Sequence, residues 1–201
     1  ELENAVHHDL RGQDTDHDHG HQHDGEHGDE LLDPHGWLDP ENAALWVKHI
    51  AKTLGRIDPE NAALYQSNAT RVAKERAQLA ERLHAQLSPL QGRTYMVLHD
   101  GFQYFDRRFG PEYAGAIALG DATAPSPARV ANARSHLVEK EVACVFSEPQ
   151  QSDRLVQVVI DATDAKRGEL DAMGARLSPG PDLYFEVLQG LADSFTRCLT
   201  D

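Results

Sequence analysis

Hydrophobic and polar positions divide the chain into three regimes. Residues 1–34 carry no apolar period of either 2 or 3.6, and their composition is that of a flexible segment without a core of its own. From residue 39 the pattern turns helical. In "DPHGWLDPENAALWVKHIAKTLGRI" Asp39 is placed to cap a helix, Pro40 takes its first position, and Leu45, Val47, Ile50, Ala51 and Leu54 give it an apolar side. The signal recurs at Asp58 and Pro59, after which Leu64, Val72, Leu79 and Leu83 carry a helical period to about Leu87. Such a helix is a rod of roughly 40 Å, long enough to brace or join two lobes.

From residue 93 short apolar runs alternate with helical stretches. "TYMVLH", "YAGAIAL", "VACVFSE" and, more weakly, "RGEL" read as strands. "GFQYFDRRFG", "SPARVANARSHLVEKE", "QSDRLVQVVIDATDA" and "PDLYFEVLQGLADSFTRCL" read as helices. This alternation predicts an α/β fold, a small parallel sheet flanked by helices with right-handed crossovers.

Polar groups placed on that sheet fall in a pattern. His99 follows "YMVL", Asp121 follows "AIALG", Glu148 follows "CVFS" and Asp171 follows "GEL", all just past the carboxyl ends of predicted strands. That edge is where open parallel sheets place ligands, and three acids with one imidazole suit a divalent metal. Asp121 reads more simply as a helix cap or turn residue. Asp100 is placed to cap the helix after His99, which leaves His99 for another task. His35 lies in "DPHGWLDP", a proline-bounded turn that can hold a neutral imidazole for Zn2+, with Trp37 as a shield or a core residue. His49, His84 and His136 read as ordinary helix-face histidines.

Charge sharpens this picture. The net charge is −14, and residues 1–35 hold eleven acids against one Arg, so −10 of it sits in one segment. A cation-attracting arm follows, and nucleic acid is disfavoured as a partner. Within it "HDHGHQHDGEH" sets His17, His19, His21, His23 and His27 among acids and glycines. A purification tag would be contiguous; interleaving suits a weak, multi-site zinc collector, because each His pair on a flexible chain must be ordered to bind. No run approaches the roughly 18 apolar residues of a membrane helix. The opening "ELENAVHHDL" has no signal-peptide character and reads as the interior of a longer protein. HExxH, GxSxG, Walker and dinucleotide fingerprints are missing, so nothing reads as an enzyme. Cys144 and Cys198 are too few for a structural zinc site; two free buried thiols and a disulfide both stay open.

Taken together, "HGWLDPENA", "VLHDGFQYF", "CVFSEPQ", "LDAMG" and "SFTRCL" resemble the zinc-binding proteins of bacterial zinc ABC transporters, the ZnuA type within the class of metal-specific periplasmic binding proteins. The resemblance runs from the His-rich stretch to the C-terminus. It implies two α/β lobes joined by a long rigid helix, with metal in the cleft between them. Residues 1–34 are then a His/Asp-rich flexible segment, and 35–57 a ligand turn and helix belonging with the N-terminal lobe. Residues 58–90 become the interdomain helix and 91–201 the C-terminal lobe, with most of the N-terminal lobe absent. By resemblance His35 and His99 are two of three zinc-binding histidines, the third coming from the other lobe. Manganese-type relatives add an acid matching Asp171, and Glu148 matches the acid of the family's "EPQ" motif. Ala172 stands where relatives commonly carry Pro, and Gly101 and Gln103 are departures that leave His99 itself intact. The resemblance also implies a Cys144–Cys198 disulfide.

The function so implied is capture of Zn2+ in the periplasm by a monomer and delivery to a membrane permease. Affinity is expected to fall below about pH 6.5, where imidazoles protonate. The alternatives are a manganese or iron carrier of the same fold, a metal-dependent adhesin or a zinc-storage protein.

Overall fold

Two Asp-Pro steps start the two long helices, by different means. The computed structural model describes residues 5–9, 32–118, 126–161 and 163–200. Asp39 Oδ1 accepts from the Glu41 amide at 2.8 Å, and α1 runs Pro40–Ile57. Asp58 instead accepts from Asn61 Nδ2 and the Tyr65 hydroxyl, both at 2.8 Å. Pro59–Asn61 forms a 3-10 turn there, and α2 follows as Ala62–Leu87. At 26 residues α2 is a rod of about 39 Å.

The apolar side expected of α1 is split in two. Ala44 and Ala51 are buried, while Ile50 is 54% exposed and Ile57 71%. Size explains the split. α1 lies so close to α2 that a methyl on Gly55 would sit 3.2 Å from Ala62 Cβ, so small residues face the neighbour and large ones face out.

The remaining elements are β1 Thr94–Val97, α3 Gln103–Phe109, β2 Glu112–Ala116, α4 Pro127–Glu139, β3 Cys144–Ser147, α5 Arg154–Ile160, β4 Lys166–Glu169 and α6 Leu183–Leu199. All strand pairs are parallel, in the order β2-β1-β3-β4. The four strands fall where the alternating pattern places them, and helices cover both faces. Tyr95 and Val97 of β1 join Phe146, Phe105, Leu188 and Phe195 on one face. Met96 turns to the other, with Val145, Leu137, Val156 and Val159.

A disulfide joins Cys144 of β3 to Cys198 of α6, with the Cα atoms 6.1 Å apart. Closing a loop of that length stabilises by about 4 kcal/mol in the chain-entropy model. Gly168 makes room for this corner, since a Cβ there would fall 2.3 Å from Phe146 Cε1.

The turn before α1 is seated on the sheet domain. Leu38 is fully buried in the core it shares with α3 and α6. Trp37 Nε1 donates to the Ala172 carbonyl at 3.1 Å, and the Tyr184 hydroxyl donates to the Trp37 carbonyl at 3.0 Å. So the His35 turn of the 35–57 segment packs with residues 91–201, while the outer side of α1 faces away from them. No described helix is long and apolar enough to cross a membrane.

Candidate metal centre

β1 and β3 are neighbours, and both end at the same edge of the sheet. Val97 is in register with Phe146, so the residues just beyond, His99 and Glu148, emerge side by side. His99 Nδ1 lies 2.9 Å from Glu148 Oε1, both groups nearly buried. After His99 the chain turns tightly, the Gly101 amide reaching back to the His99 carbonyl at 3.1 Å. α3 consequently starts from Phe102 in the N-cap position, and the capping role expected of Asp100 is not the one used.

His35 comes from the turn before α1. Its Nδ1 lies 2.6 Å from Asp33 Oδ1, which also accepts the His35 amide at 2.9 Å. Asp33 is buried. Burial pushes its pKa up, but hydrogen bonds from the His35 ring and amide and from Gln103, with the His35 charge, outweigh this and hold it below the ordinary value.

The two imidazoles meet edge to face, with centroids 5.1 Å apart. Gly101 is the floor beneath them: a methyl there would lie 2.8 Å from His99 Cε1 and 3.1 Å from His35 Nε2. Gly101 thus lets the two rings approach where a side chain would have to push one of them aside. With Nδ1–H donating to a carboxylate in each pair, the lone pair of each ring resides on Nε2. A carboxylate behind an imidazole fixes its tautomer and raises its basicity toward a metal. Trp37 closes one side, its ring 5.2 Å from that of His35.

Asp171 follows β4, but its carboxylate accepts from the amides of Met173, Ala175 and Arg176, at 3.2, 3.0 and 3.3 Å. It thus braces the loop whose Ala172 carbonyl receives Trp37. His49, His84 and His136 are exposed on helices. Asp121 and the collector histidines His17, His19, His21, His23 and His27 lie outside the described residues. Most of the segment expected to be flexible, 10–31, lies outside them too, while its flanks pair as an antiparallel bridge between Asp9 and Leu32. Among the described residues no three His, Cys, Asp or Glu side chains converge as a metal cage. The candidate centre brings together a pair of imidazoles. Asp33 and Gln103 are parts of it that sequence reasoning passed over; for Asp33 the usable signal was its place two residues before His35.

A family model described as zinc-uptake complex component A, periplasmic (ZnuA), matches residues 1–198. The chain is 41% identical over 168 residues to the high-affinity zinc uptake system protein ZnuA of Brucella suis, covering 84% of this chain and 50% of that protein. It is 39% identical to the protein of the same name from Paracoccus denitrificans, covering 83% and 52%. Among solved structures, the laminin-binding protein of Streptococcus agalactiae, described as a bifunctional protein with adhesin and metal transporting activity, superposes with a TM-score of 0.73 at 27% identity. That match covers 85% of this chain and 66% of the other. The chain spans about half the length of the curated relatives it matches.

Proposed function

The chain belongs to the periplasmic zinc-uptake complex component A family, and from that premise we propose that it captures Zn2+ as cargo in the periplasm for an ABC transporter, to whose membrane permease the loaded protein delivers it. The observation that carries this reading is the facing pair His35 and His99, each backed by its own buried carboxylate. Imidazole nitrogens suit Zn2+, whereas carboxylates and water suit Mn2+, so this donor pair favours zinc. Zn2+ takes four ligands, so two more complete the shell beyond this pair. His35 and His99 hold the ion through Nε2, Glu148 orients His99, and Asp171 steadies the loop beside Trp37. The cargo is an ion with no covalent bond to make or break, and only its coordination changes, so the role is transport and not catalysis.

The outer side of α1 supports a second lobe. Ile50, Leu54 and Ile57 form an exposed apolar stripe, continued by Leu64 at 56% exposure. In the intact protein the other lobe covers this stripe and supplies the third histidine. The histidine-rich stretch acts as a weak collector for the tight site, and the residues that flank it, Asp9 and Leu32, are bridged to each other.

Competition titration of the intact monomer with Zn2+ and Mn2+ tests the cargo. Zinc is expected to displace manganese, and the reverse order would assign the protein to the manganese carriers. The likeness to the laminin-binding protein supports a second reading, an added adhesin role, which metal-dependent binding to immobilised laminin would establish and its absence would remove.

A further inference from the structure

Residues 6–9 lie against the His35 turn, and three side chains join the two. Asn42 of α1 is buried; its Oδ1 accepts the Val6 amide at 2.7 Å, while Nδ2 donates to the carbonyls of Val6 at 2.9 Å and Gly36 at 3.2 Å. Gln103 of α3 is completely buried, and its Nε2 donates to the Asp9 carbonyl at 2.8 Å and to Asp33 Oδ2 at 3.1 Å. The Tyr104 hydroxyl accepts the His8 amide at 3.1 Å and donates to the Asp33 carbonyl at 3.2 Å. The Asp33 amide completes the contact by donating to the His8 carbonyl at 2.8 Å.

Each amide is held in one orientation. Flipping Gln103 would set its oxygen against a carbonyl and a carboxylate, both acceptors; flipping Asn42 would oppose like groups at Val6. Gln103 Oε1 finds no partner among the described residues, an unfavourable feature for a buried amide whose only task is packing. What the arrangement secures is Asp33, the carboxylate that fixes the His35 ring.

We infer that Asn42 and Gln103 are positioning residues of the metal centre, stitching residues 6–9 to the His35 turn so that this short segment sets how tightly the centre holds metal. The inference rests on the reading that His35 and His99 hold zinc. It separates two parts of one N-terminal segment: residues 6–9 belong to the support of the tight site, and residues 13–29 do not.

The test compares four variants of the intact protein: Gln103→Met, which keeps the volume and loses the amide; residues 5–9 replaced by Gly and Ser; deletion of residues 13–29; and His35→Ala. Zinc affinity is read by chelator competition, the visible spectrum of the Co2+-loaded protein reports coordination geometry, and thermal unfolding of the metal-free protein reports stability. Gln103→Met and the 5–9 replacement are each expected to weaken zinc about tenfold, the low end for loss of outer support to a metal-bound histidine, and to alter the cobalt spectrum. Deletion of 13–29 is expected to leave both unchanged at the tight site. If the first two variants lower only the unfolding temperature and keep wild-type affinity and spectrum, the inference is overturned. Should Gln103→Met fail to fold, the 5–9 replacement decides alone. His35→Ala separates the two levels: tight zinc binding in that variant sinks the functional reading itself. Its loss there, with positioning variants unchanged, sinks only this inference.

Discussion

His99 with Glu148, and His35 with Asp33, are the same chemical unit built in two ways. The first pair is 49 residues apart in sequence and is delivered by adjacent parallel strands, one of them tied to α6 by the disulfide. The second pair is two residues apart on a turn, which no ladder holds. Apart from the backbone bond of Asp33 to His8 and the single Asp9–Leu32 bridge, side chains hold it: Trp37 on Ala172, Gln103 on Asp33, and Arg108, whose Nε and Nη2 reach Asp39 at 3.1 and 2.7 Å. A sheet edge confers position through many backbone bonds shared over the whole strand. A braced turn depends on a few side chains, so it is the half more readily disturbed from a distance.

The largest effect expected is loss of either imidazole. His35→Ala or His99→Ala lowers zinc affinity beyond the roughly 10–100-fold of outer-partner loss, measured by chelator competition. Equal affinity in either variant would remove that ring from the metal. Next come the backing carboxylates, where the two halves should part. Glu148→Gln costs about tenfold and Asp33→Asn more within the same 10–100-fold range, because Asp33 also accepts from the His35 amide and Gln103. Equal losses would contradict the distinction between ladder and braced turn.

Gly101→Ala comes third. Its methyl must displace His99 Cε1 from 2.8 Å, and overpacking of this kind costs about 1–3 kcal/mol in chemical denaturation. Acid gives a finer probe of the braced half. The Asp33 carboxyl is held below its ordinary value of 3.8, so the stability it contributes is present above that pH and is lost as pH falls through the folded-state value. Metal-free Asp33→Asn protein should therefore lose less stability than wild type on acidification below pH 3.8. Smallest of all, Asp171→Asn should leave zinc affinity unchanged, since that carboxylate is engaged by its own loop. A loss as large as that of His99→Ala would make Asp171 a ligand.

The same contrast governs what was legible beforehand. His99 and Glu148 could be read because strand ends of a parallel sheet share one edge, and the alternating pattern located the strands. The Asp-Pro starts of both long helices were equally plain. The direction of α1 was not, because which apolar residues turn inward depends on the distance to α2, and Ala44, Ala51 and Gly55 fit where Ile50 and Leu54 do not. The cysteine pairing stayed open on the residues alone and was supplied by family resemblance. Asn42 and Gln103 carry no local signal, since they act on Val6 and Asp9, 36 and 94 residues away. Asp171 sits where a ligand would, and only the three amides converging on it reveal its use.

The central claim is that the tight zinc site is His35 with His99 and not the histidine-rich stretch. Zinc titration of the intact protein lacking residues 13–29, with and without the paired substitution His35→Ala and His99→Ala, tests it most directly. One tight site should survive the deletion and vanish with the paired substitution. A tight site that disappears with the deletion alone, or that persists without both imidazoles, would contradict it.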